Sequence, residues 1–410
     1  MSKHSWLGGS GAKRWMHCAG SVKLCRDLEE ELGTEESSVE AELGTAAHTL
    51  LERVLRSYFN DNLGGGNAFD HIGETILNES GQTFVVDSNM AQAVQVAVDY
   101  VLGRIEQLGP DTEVILEGDV DLTTWQKKFG IKEPMFGRAD IVLIQPFGVL
   151  EVIDYKHGEH VTVEVEGNEQ AKYYGFGVLT KNDPCIEEVV NTIIQPRREH
   201  ELGYVRSETI RAEDLQAWGD TELAPCAKAT ESPRAQCHAG EWCKTGFCRG
   251  MGVCPATAAR VEEIAELTVF EGAAIPVSQI SNAKLARIID LSTLLAKCVK
   301  SAKEIAQARL RSGQVVGGYK LVQGKASRHW INEDRARHAM REWASEATES
   351  KLLSPAAMET MLKNNGMKKG EITAMIGHLI NTTRGEAIAP ASSKKPEVLT
   401  AVSAFKHLGT

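Results

Sequence analysis

The 410-residue chain, 42% hydrophobic and 25% charged, holds enough apolar material for two or three ordinary domains and needs no disulfide staple. No run approaches the roughly 20 apolar residues of a membrane span, and collagenous, coiled-coil and wholly disordered architectures are excluded as well. The net charge of -11, from 45 Lys and Arg against 56 Asp and Glu, argues against a protein that coats nucleic acid by bulk electrostatics, but leaves room for an enzyme with a local basic groove.

Residues 1–39 are Gly- and Ser-rich, then Glu-rich, and read as a short packed segment followed by a loop. Met1 to Leu24 is polar and broken by glycines, unlike a secretory signal. With an odd count of nine cysteines, a reducing, cytoplasmic compartment is expected. There, thiols serve as buried fillers or metal ligands. Leu43, Ala47, Leu50, Leu51, Val54, Leu55 and Tyr58 recur at helical spacing and predict an amphipathic helix from Ala41 to Phe59, ended by the glycines of 61–67. A second helix is expected over Ser88–Gln107. Three β-rich runs follow, Val114–Leu122, Gly137–Ile144 and Val149–Tyr155, which read as a meander. A helix over Gln170–Leu179 and a strand over Glu188–Gln195 complete an α/β sandwich.

Chemistry concentrates at the end of the third run. A period of two puts Asp154 and Lys156 on one strand face and Tyr155 on the other. If that strand pairs with Gly137–Ile144 through the turn at Pro146, Asp140 comes close to Asp154. Two such carboxylates repel unless a divalent cation binds, and a lysine beside the cation can orient or deprotonate water or stabilise charge on a phosphorane-like transition state. Taken singly, each feature has a plainer reading. His48 fits an ordinary helix histidine, Asp-x-Lys a solvated cross-strand pattern, and Gln170 with Tyr174 a surface polar residue above a core aromatic.

Taken in order, Gly44-Thr45-Ala46-Ala47-His48, Gly137-Arg138-Ala139-Asp140, Asp154-Tyr155-Lys156 and Gln170-Ala171-Lys172-Tyr173-Tyr174 resemble the motif set of the PD-(D/E)XK nuclease superfamily in its RecB-like branch. The resemblance covers roughly residues 10–260 and implies a restriction endonuclease-like α/β core. It implies that His48, Asp140, Asp154 and the Tyr155 carbonyl ligate Mg or Mn and that Lys156 acts on the water. Gln170 and Tyr174 would position the site against the DNA backbone.

Five cysteines fall between Cys226 and Cys254, in a stretch with little periodicity that needs a covalent or metal tether. Iron–sulfur members of the same branch, AddB-like and CRISPR-associated exonuclease-like, are similar here. The resemblance implies a [4Fe-4S] cluster on Cys18, Cys243, Cys248 and Cys254, although Cys243 and Cys248 depart from the usual C-x2-C spacing. The alternative is zinc held by Cys237, His238, Cys243, Cys248 or Cys254. Cys25, Cys185 and Cys298 read as plain buried residues.

The expected domains are a nuclease with its cysteine-rich metal-binding region over 1–260, a mainly helical C-terminal domain over 261–388, and a disordered tail from 389. Ser278–Leu310 reads as a long helix with an apolar stripe, from Leu285 and Ile288 through Cys298 to Ile305, which reads equally as core packing or as a homo-oligomer interface. Gly318–Trp330 reads as a small hairpin. This third resembles part of a phage and prophage family that shares the nuclease core. Its Lys320, Lys325, Arg328 and Trp330 either contact nucleic acid or pack on a helix. The function implied is a metal-dependent DNA exonuclease processing double-strand ends in phage recombination, with a single-strand annealing protein as candidate partner and no membrane association. The rivals are a structure-specific endonuclease and a catalytically inactive nuclease-fold DNA-binding subunit.

Overall fold

The computed structural model describes residues 5–34, 37–61, 66–77, 81–146, 148–181, 185–270, 273–274, 281–331, 333–340, 353–390, 393 and 395–398. The chain divides into two compact units, Met1–Gly66 with Ala93–Ile305, and Asn67–Gln92 with Ala306–Thr410. The division falls well past residue 260, and a segment near residue 80 joins the second unit. No helix of the described residues is long and apolar enough to cross a membrane.

The first unit begins with two helices, α1 (Ala12–His17) and α2 (Gly20–Leu32), where the sequence suggested a packed segment and a loop. Val22, Cys25 and Leu28 form a buried stripe at helical spacing along α2, masked in the sequence by its Glu-rich end. Helix α3 (Val39–Asp61) buries Ala46, Ala47, Leu50, Leu51, Val54 and Leu55. Along the chain, α3 is followed by a hairpin that belongs to the second unit, β1 (Thr75–Leu77) with β2 (Thr83–Val85), and then by α4 (Ser88–Leu108).

A five-stranded mixed sheet follows, in the order β3 (Glu113–Asp121), β4 (Phe136–Ile144), β5 (Val149–Tyr155), β6 (Glu188–Ile194) and β7 (Val205–Arg211). Only β5 and β6 are parallel. Helix α5 (Thr123–Lys128) links β3 to β4, and the β5–β6 crossover carries α6 (Glu169–Leu179), as a parallel pair requires. Asn168 caps α6 by accepting from the Ala171 N–H at 3.1 Å. The helix seats closely on the sheet because Gly177 has no side chain: a Cβ there would lie 2.2 Å from Val120 Cγ1. Strand β7 alternates buried and exposed positions too weakly to be read from sequence.

One core fills the α6 side of the sheet, with Trp15, Val120, Val142, Val152, Tyr173, Phe176 and Trp218 among its members. Through α4, the sheet also buries a charge. Glu151 is fully enclosed and accepts from Tyr100 Oη at 2.7 Å, Arg104 Nε at 2.6 Å and Thr192 Oγ1 at 2.6 Å. Three donors satisfy a carboxylate that burial would otherwise make very costly.

In the second unit, Tyr319–Trp330 is one long strand paired antiparallel with Ile380–Pro390, not a local hairpin. Its partner lies some fifty residues downstream, beyond the reach of local pattern. Ala389 and Pro390, expected in the tail, are its last paired residues, and residues 399–410 lie outside those described. This extension is therefore helical and β together. Trp330 donates to the Leu353 carbonyl at 2.9 Å and packs on a core containing Met340, Met358 and Leu362, while Arg328 pairs with Glu359. Packing accounts for both residues. The Lys325 side chain, like those of Leu285 and Ile288, lies outside the described residues.

Candidate functional site

Strand register places the acids. In the β4–β5 pair Ile141 stands opposite Ile153, and one step further along the same register Asp140 stands across from Asp154. The backbone then fixes Asp140, whose Oδ2 accepts the Tyr155 N–H at 2.8 Å. His48, projecting from α3, brings Nδ1 to 3.4 Å from the same oxygen. Its ring meets the buried Tyr155 ring edge-on at 5.3 Å.

The sequence reading missed one acid. Glu117 on β3 lies between Leu116, opposite Ile141, and Gly118, opposite Ala139, so it faces Asp140 across the strands. It adopts φ +53°, rare for a residue other than glycine. Its carboxylate joins His48 and Asp140 in a group whose ligand atoms all lie within 4.8 Å of one another. Burial and the neighbouring Asp140 push the Glu117 carboxyl up, with His48 acting the other way. The available signal was a carboxylate inside an apolar β-run followed by a glycine.

Asp154 is buried at 4% exposure. Burial raises its pKa first and Asp140 adds to the rise, while the ammonium of Lys156 opposes both. For Lys156, burial alone would lower the pKa, but Asp154 and Asp140 outweigh it and the net shift is upward. Lys156 Nζ donates to Asp154 Oδ1 at 3.0 Å, and Gln170 Nε2 donates to the same oxygen at 3.3 Å. Asp154 Oδ2 is 2.8 Å from the ammonium yet accepts no aligned hydrogen bond, which leaves a buried carboxylate oxygen with an unused lone pair.

Gln170 ties the ensemble together. Its Oε1 lies 3.5 Å from Lys156 Nζ, and its side chain bonds the Tyr174 hydroxyl. Burial, with Asp154 and Asp140 adding, pushes that hydroxyl's pKa up, so it stays protonated. The Tyr174 ring passes closely over two glycines: a Cβ would lie 2.6 Å from Cε1 at Gly9 and 3.0 Å from it at Gly137. That packing is a physical reason for the glycine three residues before Asp140.

All of the expected acidic-site residues thus lie together, with Glu117 added. The two carboxylates and one imidazole of Glu117, Asp140 and His48 would suit a hard or borderline divalent cation such as Mg or Mn, and Asp154, which stands outside that 4.8 Å group, offers its unused oxygen beside it.

The thiols assemble differently from their expected grouping. All nine cysteines are free. The Cys237 thiol is hydrogen-bonded to the sulfurs of both Cys18 and Cys254. Burial pushes the Cys243 thiol up, and the neighbouring sulfurs of Cys18 and Cys254 add to the shift. Cys248 instead bonds Cys25, which Arg14 Nη1 approaches at 3.6 Å. Raised pKa values keep the Cys237 and Cys243 thiols protonated, and losing those protons to a thiophilic metal group would relieve the crowding, so the donor set would fit such a group. His238, part of the zinc alternative, directs its backbone N–H at Cys18 Sγ, 3.2 Å away. The long helix Asn282–Arg311 covers the region, with Ser301 Oγ donating to the Arg249 carbonyl at 2.7 Å. Cys298 lies on this long helix and its thiol donates to the Met251 carbonyl at 3.4 Å. A family profile matches residues 4–396, nearly the whole chain, and the chain belongs to that family, described as a protein of unknown function (DUF2800).

Proposed function

We propose that the chain is a Mg- or Mn-dependent deoxyribonuclease with a PD-(D/E)XK-type core, acting as an exonuclease on double-strand DNA ends in phage recombination. The observation that carries the reading is the convergence of His48, Glu117, Asp140 and Asp154 beside Lys156 and Gln170 at one end of the β4–β5 pair. A divalent cation bound by these side chains and the Tyr155 carbonyl would supply Lewis acidity at the scissile phosphate and a water of lowered pKa. Asp140 and Asp154 carry the negative charge that holds it. The Lys156 ammonium offsets charge that grows on the phosphoryl oxygens during in-line attack. Gln170 holds Asp154 and Lys156 in register, and Tyr174 backs Gln170. The sulfur-bound group, a [4Fe-4S] cluster in this reading, has a structural role, since phosphodiester hydrolysis transfers no electrons.

The test is digestion of end-labelled linear duplex beside a covalently closed circle in Mg or Mn. The proposal expects loss of the linear DNA, survival of the circle, and arrest by EDTA. Nicking of the circle would replace the exonuclease with an endonuclease. Binding without any cleavage would make the chain an inactive nuclease-fold subunit.

A further inference from the structure

Chain spacing alone groups Cys243, Cys248 and Cys254, but the tertiary contacts divide the thiols in another way. Cys237 is the central one, bonded to Cys18 and Cys254. The chain around it is pinned. Gly20 N–H donates to the Gln236 carbonyl at 3.0 Å, and a Cβ on Gly20 would lie 2.7 Å from the Cys237 nitrogen, so only glycine lets α2 approach this backbone. Two backbone donors already point at sulfur, His238 N–H at Cys18 Sγ (3.2 Å) and Gly240 N–H at Cys243 Sγ (3.4 Å). Amide donors of this kind stabilise thiolates bound to metal.

Cys248 is engaged elsewhere. Its thiol meets Cys25 on α2, and the Arg249 and Gly250 backbone also bonds Cys25. Gly250 is tight against the same helix, where a Cβ would lie 2.5 Å from Leu24 Cδ2.

We infer that the metal–thiolate centre is held by Cys18, Cys237, Cys243 and Cys254, and that Cys248 stands outside it as the partner of Cys25. The inference rests on the proposal that this region binds a metal group, and reassigns its ligands. Among the described residues no three cysteine sulfurs lie within 4.8 Å of one another. Tetrahedral zinc with Zn–S bonds of about 2.3 Å needs sulfurs about 3.8 Å apart.

The experiment measures iron, sulfide and zinc per chain, with visible absorption, in anaerobically purified full-length protein and in Cys237→Ser, Cys248→Ser and Cys25→Ser. Cys237→Ser is expected to lose nearly all bound metal, while the other two keep the parent content. Loss in Cys248→Ser with retention in Cys237→Ser overturns the assignment. Because misfolding alone can strip metal, the unmutated protein is also alkylated with iodoacetamide before and after chelation. Cys237 should react only after chelation and the reactivity of Cys248 should not depend on chelation, whereas reaction of Cys248 only after chelation with chelation-independent reaction of Cys237 overturns the assignment. Zinc lost in the same pattern supports the ligand set with a single ion in place of the cluster. Parent protein with neither iron nor zinc refutes the metal reading itself, an outcome distinct from metal held by the wrong cysteines.

Discussion

The acidic and thiol centres share one unit of the chain but are built by different means. Asp140, Glu117 and Asp154 stand on neighbouring strands, so ladder register and the Tyr155 N–H fix their separation. The thiols come from the end of α1, an irregular stretch at 237, the five-residue helix Glu241–Thr245, and the residue before Pro255. A sheet holds like charges together before any cation arrives. Short helices and loops have little cooperative stability of their own and depend on what bridges them. The acidic centre should therefore lose function without losing fold when its cation is removed, whereas the thiol centre should lose fold first.

The sharpest break is Asp140→Asn. Cleavage should fall about 10³-fold, the scale of removing a transition-state charge partner. The unfolding midpoint should hold or rise, since the change relieves repulsion with Glu117 and Asp154. Single-turnover cleavage and thermal melts on the same preparation check both halves. A large drop in midpoint would place Asp140 among the structural residues.

Arg104→Ala should do the opposite. It leaves Glu151 fully buried without its guanidinium partner, so stability should fall by about 3–5 kcal/mol. Cleavage per folded molecule should stay near the parent value. Denaturant unfolding, with activity normalised to folded fraction, measures this. The smallest effect expected is Gln170→Ala, at about 10–100-fold in metal affinity or rate, the usual cost of removing a group that orients ligands. Calorimetric titration with Mn separates the two. An unchanged Mn affinity and rate would make the Gln170 bonds to Asp154 and Lys156 incidental.

Local pattern made much of this architecture legible. The apolar spacing of α3, the β-rich runs of β3 to β5 and the turn at Pro146 all act over a few residues, and they align Asp140 with Asp154. Glu117 was hidden because its place depends on a left-handed backbone angle inside a strand, which sequence does not display. The pairing of Tyr319–Trp330 with Ile380–Pro390 was hidden because long-range partners leave no local mark. The contacts of Cys25 with Cys248 and of Cys237 with Cys18 were hidden for the same reason, since they form through the docking of α2 against a distant loop, although Cys237 itself stood among the zinc candidates.

The central claim is that Asp154 holds the cation that cuts DNA. The most direct measurement is cleavage of end-labelled linear duplex by Asp154→Asn and parent protein across a Mn titration, with DNA binding and melting curves taken alongside. The account predicts that the variant folds and binds DNA like the parent but does not cut at any Mn concentration. Cutting at the parental rate would show that the reaction occurs elsewhere.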